Sequence, residues 1–178
     1  MNIPNWITIS RLLGVFFLFY FLITPLFFSR WLSLIVFLTI ASTDWLDGYL
    51  ARKMNQVTDL GKFLDPLVDK IFIILTLLGL VIIKQISIWG IILIIIREVG
   101  ITCYRINSIK NKKGPKEAKI WGKAKTVSQI IAIAFLIAPL SQSWDEFTNI
   151  LFWISVALTL ISGLTYIILD IKVKTNKI

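Results

Sequence analysis

The chain alternates between long apolar segments and short polar links. Six apolar segments are long enough to cross the hydrocarbon core of a bilayer, which takes about 20 residues of helix. They cover residues 6–26, 31–53, 61–83, 87–109, 119–140 and 146–172. The pattern predicts an all-α integral membrane protein with six transmembrane helices, forming a single domain over residues 1–178.

Charge along the polar links alternates as well. Most Lys and Arg residues fall in 1–11, 52–62, 105–125 and the tail after Asp170, whereas the opposite links carry only Arg30 and Lys84. Because Lys and Arg concentrate in cytoplasmic loops, both termini are predicted to be cytoplasmic. The expected location is the inner (cytoplasmic) membrane of a cell, with multiple spans.

Composition changes this picture in three respects. The chain is 57% hydrophobic, and its net charge of +9 lies beside apolar segments. We therefore expect anionic lipid rather than nucleic acid as the partner of that charge. Histidine is absent, which excludes a histidine-based triad or metal site, and the single Cys103 excludes an intrachain disulfide.

The most unusual stretch is DWLDGYLARKMNQVTDLGKFLDPLVDK, residues 44–70. Asp44 and Asp47 are three residues apart, and Asp65 and Asp69 are four apart, so each pair shares one helix face. Both pairs lie at predicted cytoplasmic ends of neighbouring spans. We expect the four carboxylates to meet at one depth, at the cytoplasmic ends of helices 2 and 3. A group of carboxylates there could form a metal site.

Four carboxylates in a medium of low dielectric constant repel one another unless protons, cations or metal ions neutralise them. Carboxylate oxygens without His or Cys suit Mg²⁺, Mn²⁺ or Ca²⁺. Gly48 leaves room for a phosphate to approach the backbone, and Arg52 offers it a forked donor. The alternative is that the acids only form ion pairs with Arg52, Lys62 and Lys70 at the interface.

The order Asp44-x-x-Asp47-Gly48-x-x-Ala51-Arg52, then eight residues, then Gly61-x-x-x-Asp65-x-x-x-Asp69 resembles the signature of the CDP-alcohol phosphotransferase family. This resemblance implies six transmembrane helices, a homodimer and a cytoplasm-facing site. It implies two divalent cations, Mg²⁺ or Mn²⁺, held by Asp44, Asp47, Asp65 and Asp69. Asp69 would also be the base for an acceptor hydroxyl. The CDP pocket would be lined by Gly48, Ala51, Arg52 and Gly61.

A second polar set lies on the fourth and fifth segments. Arg97 lies within an apolar run, IILIIIREVG, where a charge is costly without a partner. The partner could be Glu98, an active-site Asp or a substrate phosphate. Lys123 and Lys125 follow in GKAKT, beside the basic loop, where they could also extend to lipid headgroups.

Three further stretches resemble the phosphatidylglycerophosphate synthase subfamily: NIPNWITISR, REVGITCYR and GKAKT. This resemblance implies transfer of a phosphatidyl group from CDP-diacylglycerol to sn-glycerol 3-phosphate, giving phosphatidylglycerol phosphate and CMP. The acceptor phosphate would be bound by Arg97, Arg105, Lys123 and Lys125. Candidate N-terminal contacts to substrate are Asn5, Thr8 and Arg11. Tyr104 departs from the subfamily pattern, which has an aliphatic residue there.

The N-terminal stretch has two interpretations. It could lie along the membrane interface as an amphipathic segment, broken at Pro4 and ending at Arg11, or it could be the plain flank of the first span. Two rival functions also remain. A sister enzyme would use another acceptor, inositol phosphate first, and a divalent-cation transporter would use the acids as an ion path.

Overall fold

A computed structural model describes residues 3–26, 28–53, 59–108 and 118–175, with side chains at 8–26, 28–43, 66–104 and 121–169. Within these ranges the chain is helical and contains no β-strand. The six α-helices are α1 (Ile3–Ile23), α2 (Ser29–Lys53), α3 (Asp59–Ile82), α4 (Ile88–Ser108), α5 (Ala118–Ile137) and α6 (Asp145–Thr175). A 3₁₀ turn at Gln142–Trp144 leads into α6. The all-α prediction is confirmed, with helix ends within a few residues of those expected.

Helix α1 begins earlier than the apolar pattern predicts. It runs without a break from Ile3, so Pro4 lies in its first turn. The N–H groups of a first turn have no partner within the helix, and proline therefore loses nothing there. The expectation that Pro4 breaks the N-terminal stretch is wrong. The helix ends at Ile23, two residues before Pro25, which disfavours helical geometry in the residue before it.

The end of α3 is closed by backbone hydrogen bonds around Lys84. The N–H of Gln85 donates to the carbonyl of Leu80, and that of Lys84 to Val81, both at 2.9 Å. This pair of bonds is the Schellman motif, which requires left-handed backbone at its central residue. Lys84 takes that conformation with φ 60°, where glycine is usual. The carbonyls at this helix end are thus satisfied without water.

One of two compact units comprises Met1–Ile86 and Ile133–Leu140. In it α1 packs on α2 and α3, and Leu18, Phe37 and Leu80 are fully buried at their contacts. Gly79 allows α1 and α3 to approach closely. A Cβ at Gly79 would lie 2.6 Å from a methyl carbon of Leu22, so a larger residue would push the helices apart.

Arg30 caps the C-terminal end of α5 within this unit. Its Nε donates to the carbonyl of Ile137 at 2.9 Å, and its Nη2 donates to the carbonyl of Leu136 at 2.8 Å. The last carbonyls of a helix have no partner in the helix and carry partial negative charge. The guanidinium therefore satisfies two acceptors and counters the helix dipole together.

The other compact unit comprises Ser87–Ala132 and Ser141–Ile178. Here α4 packs on α6, with Ile91, Ile94 and Phe152 buried. A Cβ at Gly90 would lie 2.4 Å from the ring of Phe152, so the ring lies directly on the glycine backbone. The glycine thus allows an aromatic ring to pack closely on the helix backbone.

Large apolar side chains also cover the outside of the helices. On α1, Leu13, Phe16, Phe17 and Tyr20 are exposed although the same helix buries Leu18. A helix that is apolar all round suits lipid better than water. In the described part of the chain, one stretch is long and apolar enough to span a bilayer, the 28 residues Gln142–Leu169.

The capping role of Arg30 can be tested by removing its charge. We expect Arg30→Met to lower the free energy of unfolding by about 2 kcal/mol, because two buried carbonyls lose a charged donor. Thermal unfolding in detergent measures this loss. Lys84→Met is the matched control. It removes the other cation of the links that are predicted to lie on the side opposite the cytoplasm. Equal stability of the two variants would show that the cap contributes little.

Candidate functional site

The four signature acids lie on two helices of the first unit. Asp44 and Asp47 fall within α2, and Asp65 and Asp69 fall within α3. Each pair therefore has the helical spacing that places it on one face. Of the four, only Asp69 has a described side chain, so convergence of the carboxylates stays a prediction. The predicted CDP-binding positions also lie outside the described side chains: Gly48, Ala51, Arg52 and Gly61.

Asp69 forms an ion pair with Arg11 of α1. Nη1 of Arg11 donates to Oδ1 of Asp69 at 3.1 Å. The arginine side chain is 4% exposed, whereas the aspartate side chain is 46% exposed. The guanidinium is thus buried, whereas the carboxylate is partly exposed to solvent. The packing of α1 on α3 brings together two residues that are 58 apart in sequence.

A metal centre is not tested by the described side chains. Among them no group of three or more His, Cys, Asp or Glu residues could hold a metal ion. Three of the four predicted ligands fall outside that search: Asp44, Asp47 and Asp65. The metal prediction therefore rests on the donor types and their helical spacing.

Pro66 is a feature of this region that the sequence reasoning missed. It lies inside α3, directly after Asp65 and one turn before Asp69 is reached. Proline lacks the N–H that would bond the carbonyl four residues earlier, so the first turns of α3 are held less firmly to the rest. The sequence pair Asp65-Pro66 could have indicated this interruption of the hydrogen bonds of α3.

Glu98 is the centre of a charged cluster in the second unit. Its Oε1 accepts hydrogen bonds from Nη1 of Arg97, at 2.9 Å, and from Nζ of Lys125 on α5. The side chains of Arg97, Glu98 and Lys125 are 13%, 16% and 12% exposed. One carboxylate oxygen therefore joins two nearly buried cations. The sequence left three possible partners for Arg97, and in the structure Arg97 pairs with one of them, Glu98.

Helix α6 completes the support of Arg97. Nη2 of Arg97 donates to Oγ of Ser162 at 2.5 Å. A Cβ at Gly163 would lie 3.1 Å from both Cγ and Nε of Arg97, so the arginine lies along the glycine backbone. Nε of Arg97 is buried and has no hydrogen-bond partner among the described groups. Such an N–H is costly to leave unsatisfied.

The other residues predicted to bind the acceptor or to contact substrate at the N-terminus are not part of the cluster around Glu98 in the described structure. Lys123 is exposed, and since it lies two residues before Lys125 it points to another side of α5. Thr8 is buried on α1. The side chains of Asn5 and Arg105 lie outside the described part of the chain. The structure thus joins Arg97 and Lys125 in one cluster.

Two polar features of α6 were missed from sequence. Ser155, Thr159 and Ser162 are buried on one face, and Nε2 of Gln129 on α5 donates to Oγ1 of Thr159 at 3.0 Å. Their spacing of four and three residues in an apolar helix could have indicated this polar face.

Tyr104, the departure from the subfamily pattern, packs edge-on against Tyr166 with ring centroids 6.2 Å apart. The aromatic pair gives that departure a packing role.

Residues 1–161 match the CDP-alcohol phosphatidyltransferase family, which confirms the resemblance carried by the aspartate signature. The chain belongs to this family. Similar proteins include those of Bacillus subtilis (strain 168), 33% identical over 180 residues, and Escherichia coli (strain K12), 33% identical over 172 residues. A protein of Salmonella choleraesuis (strain SC-B67) is 34% identical over 172 residues. Each alignment covers 93% of this chain and 93% of the relative. All three relatives are named CDP-diacylglycerol–glycerol-3-phosphate 3-phosphatidyltransferase.

Proposed function

We propose that this family member transfers a phosphatidyl group from CDP-diacylglycerol to sn-glycerol 3-phosphate. The observation that carries the proposal is similarity over 93% of the chain to proteins named for this reaction. The products are phosphatidylglycerol phosphate and CMP, which makes the reaction a step of phospholipid synthesis. The clustered cations of the second unit support an acceptor that carries phosphate.

The transfer is a displacement at phosphorus. The acceptor hydroxyl oxygen forms a new bond to the β-phosphorus of CDP-diacylglycerol, and the bond from that phosphorus to the oxygen shared with CMP breaks. The hydroxyl proton passes to Asp69, the proposed base. The 46% exposure of its carboxylate supports this role, because a base must reach its substrate. Arg11 binds one oxygen of the same carboxylate and so fixes its orientation.

The donor set fits two divalent cations, Mg²⁺ or Mn²⁺. The proposed ligands offer only carboxylate oxygens, in a chain without histidine, and such ligands select hard cations. The spacing of each aspartate pair within α2 and α3 supports a position on one helix face. When bound, the ions would neutralise the carboxylates and stabilise the charge that develops on the diphosphate. The proposed ligands are Asp44, Asp47, Asp65 and Asp69.

The nucleotide pocket is assigned to the small residues and the arginine beside these acids. Gly48 and Ala51 are three residues apart in α2, so they form one smooth strip along which the CDP group could lie. Arg52 would donate to a phosphate of CDP, and Gly61 in α3 would leave room beside it. These roles follow the family signature.

The acceptor phosphate is assigned to four cations: Arg97, Arg105, Lys123 and Lys125. Arg97 and Lys125 are both nearly buried, where a charge-assisted hydrogen bond to phosphate is strongest. Asn5, Thr8 and Arg11 are proposed as N-terminal contacts to substrate.

In the membrane, we propose six spans with both termini and the site on the cytoplasmic side, in a homodimer. The apolar lengths of the helices and the alternating charge of the links support this topology. The exposed aromatic and aliphatic side chains of α1 fit contact with lipid.

The reaction can be tested with purified protein in detergent. We expect CMP release from CDP-diacylglycerol only when both Mg²⁺ or Mn²⁺ and sn-glycerol 3-phosphate are present. Chelation by EDTA should abolish it and added metal should restore it. Parallel reactions contain inositol phosphate, serine or no acceptor. CMP release with inositol phosphate, and none with glycerol phosphate, would show that the enzyme uses another acceptor. Flux of divalent cations across a membrane without CMP release would indicate a transporter.

The acids can be separated from general effects of charge. We expect Asp47→Asn to lower kcat at least about 100-fold. Loss of a ligand would weaken binding of the metal ion that is proposed to stabilise the diphosphate. Asp145→Asn, at an exposed acid in the first turn of α6, is the control and should keep wild-type turnover. Wild-type turnover of Asp47→Asn would remove Asp47 from the site.

Arg11 can be tested by a pair of substitutions. We expect Arg11→Gln to lower kcat about tenfold, because the Asp69 carboxylate loses a charged hydrogen bond that orients it. Arg11→Lys keeps the charge and should recover part of the rate. The measurement is the initial rate of CMP release at saturating concentrations of both substrates. If glutamine and lysine had equal effects, the charge of Arg11 would not matter to turnover.

A further inference from the structure

Beyond the residues assigned to substrate, the second unit contains an acid and a hydroxyl that both hydrogen-bond the guanidinium of Arg97. Glu98 bonds Arg97 and Lys125 through a single oxygen, Oε1. Ser162 accepts a hydrogen bond from the other end of the Arg97 guanidinium. We propose that Glu98 and Ser162 are positioning residues, which hold the two cations at the spacing that binds the phosphate of the acceptor.

The first argument concerns what the two cations would do alone. Lys and Arg side chains have many rotamers, and two like charges at nearly buried positions repel each other. A carboxylate oxygen bonded to both removes the repulsion and fixes their separation. Since binding is strengthened by groups that are ordered beforehand, this arrangement lowers the cost of capturing an anion.

The second argument concerns the direction of the guanidinium. Arg97 is bonded at Nη1 by Glu98 and at Nη2 by Ser162, and its stem lies against Gly163. Three positions on two helices thus fix one side chain. Nη1 and Nη2 each carry a second N–H, so the fixed guanidinium still has donors of the kind that bind an anion. A phosphate oxygen is an acceptor of the chemistry that these donors require.

The third argument concerns Ser162 itself. Its hydroxyl also donates to the backbone carbonyl of Thr159 at 3.2 Å, so the oxygen lone pairs are directed at Arg97. Thr159 is in turn bonded to Gln129 of α5 at 3.0 Å. The orientation of the arginine is therefore tied to a buried network between α5 and α6 rather than to a mobile surface group.

The inference rests on the proposed function for the identity of the acceptor, and its test uses substitutions that act on the cluster in three ways. Glu98→Gln removes the shared charge, Ser162→Ala removes the hydroxyl, and Gly163→Ala adds a methyl 3.1 Å from Cγ and Nε of Arg97. We expect each to raise the KM for sn-glycerol 3-phosphate about tenfold while the KM for CDP-diacylglycerol changes less than about twofold. Ser162→Thr retains the hydroxyl and should restore the acceptor KM.

The matched control for the serine is Ser155→Ala. Ser155 is equally buried on the same helix, but its hydroxyl donates to the backbone carbonyl of Phe152. It should leave both KM values unchanged. Should Glu98→Gln not fold, the smaller changes at Ser162 and Gly163 still decide the question. The inference is overturned if those variants keep the wild-type acceptor KM, or if both KM values rise together.

Binding without turnover separates this inference from the proposed reaction. The thermal shift produced by sn-glycerol 3-phosphate, and by inorganic phosphate as a simpler probe, gives an apparent Kd without any CDP-lipid. We expect that Kd to rise about tenfold in Ser162→Ala and to recover in Ser162→Thr. A wild-type protein that binds phosphate in this way but releases no CMP would overturn the reaction and keep the positioning role. Equal Kd values in wild type and Ser162→Ala would overturn the positioning role alone.

Discussion

A charge placed inside an apolar helical protein must be matched by an opposite charge or by helix-end carbonyls, and the described structure is arranged around this requirement. Arg11 is matched by Asp69, Arg30 by the last carbonyls of α5, and Arg97 with Lys125 by Glu98. Apart from the adjacent residues Arg97 and Glu98, each match joins segments that are distant in sequence. The polar contacts therefore fix which helix faces meet, a choice that non-directional apolar contacts alone leave open.

Close packing makes these matches reachable. Gly79 lets α1 approach α3, the same two helices that Arg11 and Asp69 join. In the second unit Gly163 lets the stem of Arg97 lie on the backbone of α6, within reach of Ser162. In both places a small residue and a charged contact are found on the same pair of elements. An added methyl would disturb the electrostatic contact by displacing its partner, even though no charge would change.

Sequence reasoning found the helices because their signal is local. A long apolar run between charged links predicts a helix whatever its neighbours are, and all six were found. Arg11 with Asp69 could not be predicted in the same way, because 58 residues separate them and several cations were available to each acid. Arg97 had three plausible partners from sequence, and only the packing of α4, α5 and α6 selects Glu98 and adds Ser162. Pro4 was misread because the same residue that breaks a helix interior is harmless in a first turn.

The two polar regions differ in the sign of the charge they offer, and this difference bears on the choice of acceptor. The signature acids are four carboxylates, which only cations make compatible with a diphosphate. The cluster around Glu98 contains two positive side chains and one negative side chain. A neutral alcohol would gain little from such a cluster, and a zwitterion such as serine would bring its own ammonium near Arg97 and Lys125. A phosphate monoester supplies an anion that the two cations match. The net positive charge of this cluster therefore favours an anionic acceptor.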